Sequence, residues 1–177
     1  QTFMNPKLGL TRSVLKRNYA LITPDSRVAS IFPGWTNCTP YVLISAAMGA
    51  GLSQYLIALD TKSAGVGDTE DSEWFVYVVA GKAKVNNASL SEGGFAFLPT
   101  RTKYDIRGAA NDSSLLVFRK TYEPLGGEKE PAFFTGNESN IKGVPFLGDQ
   151  HARLQTLIPD TLATDMAVNI FTYDPGA

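Results

Sequence analysis

Apolar and polar residues alternate with a period of two through most of the chain. Short segments rich in Val, Ile, Leu, Phe and Tyr recur at 20–22, 41–45, 54–60, 74–80, 82–85, 95–98, 103–107 and 115–119. Residues of turn chemistry separate them, at Pro33-Gly34, Asn86-Asn87, Gly93-Gly94 and 108–112. Many short strands punctuated by Gly, Pro, Asn and Asp predict an all-β sandwich or barrel. Helical periodicity is absent apart from 148–157, where Leu154, Leu157 and Ile158 predict a short helix. Residues 123–149 lack periodicity and carry Pro124, Gly126, Gly127, Pro131, Gly136, Gly143, Pro145 and Gly148, so they read as an interdomain linker. Beyond it, Met166, Val168 and Ile170 alternate in a strand over 165–174. It reads as the opening strand of a second, similar unit, cut off at Ala177. The expected organisation is a complete barrel over 1–122, a linker over 123–149 and a truncated start of a second barrel over 150–177.

Composition narrows the chemistry. The chain has 177 residues, 44% hydrophobic and 19% charged, enough apolar material for a real core. Sixteen Lys and Arg against seventeen Asp and Glu give a net charge of −1, which argues against nucleic acid as a partner. The longest apolar run, 74–80, is far below the ~20 residues a membrane-spanning helix needs, so no membrane partner is expected. Cys38 is the only cysteine and His151 the only histidine, which excludes a disulfide framework, a cysteine cluster and any multi-histidine metal site from this chain alone. The chain begins at Gln1 rather than Met and stops in turn residues, so both ends read as cuts in a longer protein.

The stretch 73–108 resembles the cupin family, small β-barrels of jelly-roll type. Gly81 stands where the first cupin motif ends in a hairpin Gly. Gly93 and Pro99 follow the second motif's spacing of Gly, five residues, Pro. The metal-ligand positions are degenerate. Trp74 replaces the Glu of the first motif and Tyr104 the His of the second, and neither suits a transition metal. Both are expected in the barrel interior. Glu73 is offset by one residue and is expected on the opposite face of its strand. Asp68, Glu70, Asp71 and Glu73 read as a solvated acidic turn without calcium-loop spacing. Arg12, Lys16 and Arg17 read as a contact patch, His151 as a lone exposed imidazole, and Cys38 as a structural thiol. Ser13, Ser45 and Ser53 lack His and Asp partners for a nucleophile. The sequons at Asn37, Asn87, Asn111 and Asn137 permit a secretory location without establishing one.

A closer resemblance begins at Gly9-Leu10-Thr11-Arg12-Ser13 and continues through Lys16-Arg17-Asn18-Tyr19-Ala20-Leu21-Ile22-Thr23-Pro24. With Pro33-Gly34-Trp35-Thr36-Asn37, Arg119-Lys120-Thr121-Tyr122-Glu123, Leu157-Ile158-Pro159 and Asp174-Pro175-Gly176, it is similar to the (S)-ureidoglycine aminohydrolase family, particularly the plant type. The resemblance implies a bicupin of purine (allantoin) breakdown that releases ammonia from (S)-ureidoglycine to give (S)-ureidoglycolate. It implies Mn²⁺ in the second barrel, held by a Glu, two His and a Gln. The first three ligands are expected just after Pro175-Gly176, so no catalytic or metal residue is assigned to this chain. It further implies a metal-free first barrel and a homo-oligomer. The compartment would be the endoplasmic reticulum for a plant-like protein and the cytoplasm for a bacterial one. Two other readings stand beside it: a non-catalytic cupin that binds a small ligand between Trp74 and Tyr104, and a bicupin dioxygenase, which the Thr11–Pro24 match disfavours.

Overall fold

The computed structural model describes residues 12–16 and 18–176. Gly9–Thr11 of the family-like run, Arg17 of the basic patch and Ala177 lie outside the described residues. A small hairpin, β1 (Val14–Leu15) and β2 (Ala20–Leu21), precedes β3 (Trp35–Ile44) and β4 (Ser53–Asp68). Then follow β5 (Ser72–Ala80), β6 (Lys82–Val85), β7 (Ala88–Ser91), β8 (Gly94–Leu98), β9 (Lys103–Gly108) and β10 (Ser113–Thr121). The C-terminal part holds β11 (Phe134–Asn137), β12 (Val144–Phe146), β13 (Asp149–Thr156) and β14 (Asn169–Tyr173).

Nine of these strands form one nearly closed antiparallel sheet, in the order β11-β8-β5-β10-β4-β9-β6-β7, with β3 on the other edge of β4. β4 binds the barrel together. One of its edges pairs with β3, and the opposite edge pairs first with β10 and then with β9. The hairpin between β5 and β6 turns at Gly81, whose φ of +75° favours glycine. A side chain there would also strike Ser113.

The uninterrupted apolar runs of β5 and β8 arise because both faces of these strands are covered. Trp74, Val76 and Val78 of β5, with Ala96 and Leu98 of β8, point into the barrel and pack with Ile57, Ile106, Leu115 and Val117. The alternate residues Phe75, Phe95 and Phe97 form a second core on the outer face. Leu157, Ile158 and Met166 close over it. The C-terminal segment thus folds back onto the barrel wall.

Three local expectations differ from the structure. Residues 148–157 form no helix; Asp149–Thr156 is the strand β13, hydrogen-bonded on both edges by β12 and β14. The strand expected over 165–174 is confined to Asn169–Tyr173, where β13 is its partner. Within the stretch read as a linker, Phe134–Asn137 adds β11 to the barrel sheet, where Phe134 stacks on Phe97 with ring centroids 5.2 Å apart.

Candidate functional site

The two degenerate ligand positions meet inside the barrel. β5 carries Trp74 and β9 carries Tyr104, and both side chains are buried, at 2% and 5% exposure. Their ring centroids are 4.7 Å apart. Trp35 Nε1 donates to Tyr104 Oη at 3.4 Å, and Phe32 stacks on Trp35 and lies tilted against Trp74. Tyr104 fits because residue 67 is glycine; a Cβ there would sit 2.6 Å from the phenol oxygen. Indole offers only an N–H donor and a phenol is neutral at ordinary pH, so this pair does not fit a transition metal. Among the described residues, no group of three or more His, Cys, Asp or Glu side chains is placed to hold a metal ion.

Glu73 does lie on the face opposite Trp74, but it does not share the solvated turn with Asp68, Glu70 and Asp71. It is fully buried, while those three are exposed. The outer face of β5 is covered by the C-terminal segment, which brings Asp165 beside it. Lys120 of β10, in register with Glu73, reaches Asp165 Oδ2 at 2.5 Å, and the backbone N–H of Glu123 donates to the same oxygen at 2.8 Å. Both Glu73 oxygens and Asp165 Oδ1 are buried without a donor. A proton held by Glu73 and shared with the Asp165 carboxyl accounts for these unpartnered oxygens. Burial, reinforced by the Asp165 carboxylate and opposed by Lys120, pushes Glu73 up to about 8. Burial works against ionised Asp165 too, but the hydrogen bonds from Glu73, Lys120 and Glu123 outweigh it and hold Asp165 low. Sequence reading missed this cluster because Lys120 and Asp165 meet Glu73 only through the fold. The available signal was a carboxylate at the head of an apolar run, in phase with Phe75 and Tyr77.

The remaining candidates are dispersed. His151 is exposed on β13 and is not alone, since its Nδ1 lies 3.3 Å from Asp174 Oδ2 and Arg153 binds the same carboxylate. Arg153, above all, holds Asp174 below the usual carboxylate range. Cys38 is half-buried, and burial pushes its thiol up. Arg12 lies 3.9 Å from Asp25. Ser13 Oγ accepts from the backbone N–H of Thr23 at 2.9 Å, within a cluster of hydroxyls with Ser26. Of the sequon asparagines, Asn37, Asn87 and Asn111 are exposed, whereas Asn137 is half-buried and its amide donates to Glu92 O at 3.1 Å.

No family model matches the chain. It is 32% identical to the (S)-ureidoglycine aminohydrolase of Escherichia coli strain K12 over 175 residues, 94% of this chain and 66% of that protein. It is 31% identical to the (S)-ureidoglycine aminohydrolase of Arabidopsis thaliana over 173 residues, 95% of this chain and 57% of that one. The chain thus spans less than two thirds of either relative's length. The crystal structure of protein Ylba from E. coli, described as DUF861, superposes with a TM-score of 0.82 at 30% identity, over 98% of this chain and 72% of that one.

Proposed function

This chain belongs to the cupin family of the (S)-ureidoglycine aminohydrolases and E. coli Ylba, and from that premise we propose that it is the first-barrel half of such an enzyme. The reaction releases ammonia from (S)-ureidoglycine and leaves (S)-ureidoglycolate. The observation that carries the reading is the extent of the likeness. At 31–32% identity it runs over 94–95% of the chain, through the barrel and the C-terminal strands alike.

The division of labour follows from the donor sets. The interior pair of this barrel does not fit a metal, so no step of the reaction is assigned to Trp74 or Tyr104. Mn²⁺ belongs, on this reading, to a second barrel that opens with β12–β14. The metal supplies charge stabilisation there when bound. This chain's own residues have a structural task. Phe75, Phe95 and Phe97 anchor the segment that leads toward that barrel, and Lys120 with Asp165 fixes its position. Assembly into a homo-oligomer is part of the same proposal. Exposed Leu15, Leu21, Val28 and Ile31 near the N-terminal hairpin support it, as apolar surface suited to a neighbouring subunit. The interior offers less support to a ligand-binding module, because the Trp74 and Tyr104 rings are packed against each other.

The test compares residues 1–177 with a protein that also carries a second barrel. Ammonia release from (S)-ureidoglycine is expected only from the longer protein and only with Mn²⁺ supplied. Stoichiometric Mn²⁺ binding by residues 1–177, or no ammonia from the longer protein, overturns the reading.

A further inference from the structure

One end of the barrel carries a cation with no anion to answer it. Arg119 of β10 is in register with Trp74 of β5 on one side and Ser53 of β4 on the other. Its guanidinium carbon lies 4.7 Å from the Trp74 ring centroid and 5.8 Å from that of Phe32. Among the described residues it makes no ion pair, and its Nε is buried with no hydrogen-bond partner. A half-buried guanidinium without a counter-ion is costly. Stacking against two rings offsets part of that cost, but it engages only the face of the group. The N–H donors at the edge stay unused.

Arg119 also lines an open cleft of about 240 Å³, together with Ala46, residues 50–52, Ser53, Tyr55, Ser72 and Thr121. Ser53 and Thr121 make no side-chain hydrogen bond among the described residues. Ser72 Oγ is already taken up, 3.3 Å from Asp71 Oδ1. The cleft is several times the ~30 Å³ share of one water. Arg119 is the only charged residue in its lining, so the cleft balances one negative charge rather than two. A planar carboxylate matches the guanidinium fork with two parallel hydrogen bonds, which a tetrahedral dianion cannot use as fully here.

We propose that the Arg119 cleft binds a small free monocarboxylate, its oxygens on the guanidinium edge and the hydroxyls of Ser53 and Thr121, and its short tail against Ala50 and Leu52. The site is separate from the metal chemistry proposed for a second barrel and does not rest on it. It gives the first barrel a ligand at its mouth although its interior is packed shut.

The experiment is a titration of the ¹⁵N-labelled 177-residue chain with sodium acetate, with sodium chloride and with inorganic phosphate, all at one ionic strength. Acetate is expected to shift the Arg119 Nε–H and Trp74 Nε1–H signals along a saturating curve, with a Kd on the order of millimolar. Chloride and phosphate are expected to give only small linear drifts. Arg119→Gln should weaken acetate binding at least tenfold, and Arg119→Lys should keep part of it. Should Arg119→Gln fail to fold, Ser53→Ala supplies the second arm, with an expected weakening of about threefold at an unchanged melting temperature. A linear response to acetate, affinity unchanged in both variants, or equal saturation by phosphate overturns the proposal.

Discussion

The carboxyl of Glu73 neighbours that of Asp165 where the C-terminal segment meets the barrel wall, with Lys120 bonded to Asp165. The arrangement makes stability depend on pH. Glu73 titrates near 8 in the folded chain and near 4.5 when unfolded. Between those values the folded state holds the extra proton, so stability falls as pH rises through that window and stays lower above 8. Asp165, held low, works the other way, but only at acid pH, because it is ionised in both states across the Glu73 window. Glu130 adds negative charge toward Glu73, and Tyr122 lies in the same field. The melting temperature is expected to drop from pH 5 to pH 8.5, and Glu73→Gln should flatten that slope and raise stability above pH 8. A slope unchanged in Glu73→Gln would remove Glu73 as its source.

Removing the cation has the opposite effect. Lys120→Met leaves Asp165 with the Glu123 N–H and the Glu73 proton but no positive charge. The Lys120 and Asp165 side chains are about one-fifth exposed, so the loss is discounted from that of a fully buried pair to roughly 1–3 kcal/mol. Urea unfolding at pH 7 measures it. The expected companion is a higher apparent pKa for the pair, read by carboxyl ¹³C chemical shifts. Unaltered unfolding would show that Lys120 and Asp165 are no more than a surface contact.

Much of the barrel is legible in the chain because the period-two alternation is strong. From Trp74 to Val78 it sorts inward Trp74, Val76 and Val78 from outward Phe75 and Tyr77, and the one-residue offset puts Glu73 on the outward set. The burial of that outward face is not legible. It depends on Leu157, Ile158 and Met166, which are distant in sequence and carry no local mark of their destination. For the same reason β11 hides in a stretch rich in Gly and Pro. Its four residues acquire strand structure only from the exposed edge of β8. Leu154, Leu157 and Ile158 mimic a helical face because Leu157 and Ile158 lie past the end of β13 and turn toward the second core. Arg119 reads as the polar end of a strand. Only the fold sets its side chain over Trp74.

The interior pair gives a steric prediction. Gly67→Ala puts a methyl against the Tyr104 ring, with the phenol oxygen as its nearest neighbour. Overpacking of this kind costs about 1–3 kcal/mol. Adding Tyr104→Phe removes the nearest atom and the hydrogen bond from Trp35, so it should return part of the loss. A double-mutant cycle in urea reports the coupling. Strict additivity would mean that β4 shifts to absorb the methyl elsewhere.

Proteolysis distinguishes a free linker from a docked segment. Lys129 is exposed, next to the turn that holds Gly126 and Gly127, so trypsin is expected to cut there first. Downstream of the cut, β11 is hydrogen-bonded to β8, and Leu157, Ile158 and Met166 are buried against Phe75, Phe95 and Phe97. Burying each large apolar side chain is worth about 1.5–3 kcal/mol. The fragments should therefore co-elute as one species in size exclusion and separate only in denaturant. Phe97→Ala removes the ring on which Phe134 stacks, at about 3–5 kcal/mol, and should loosen this complex more than any change on the exposed face of β13. Fragments that separate without denaturant would show that the outer core does not hold the C-terminal strands, and residues 123–149 would then act as a flexible connection.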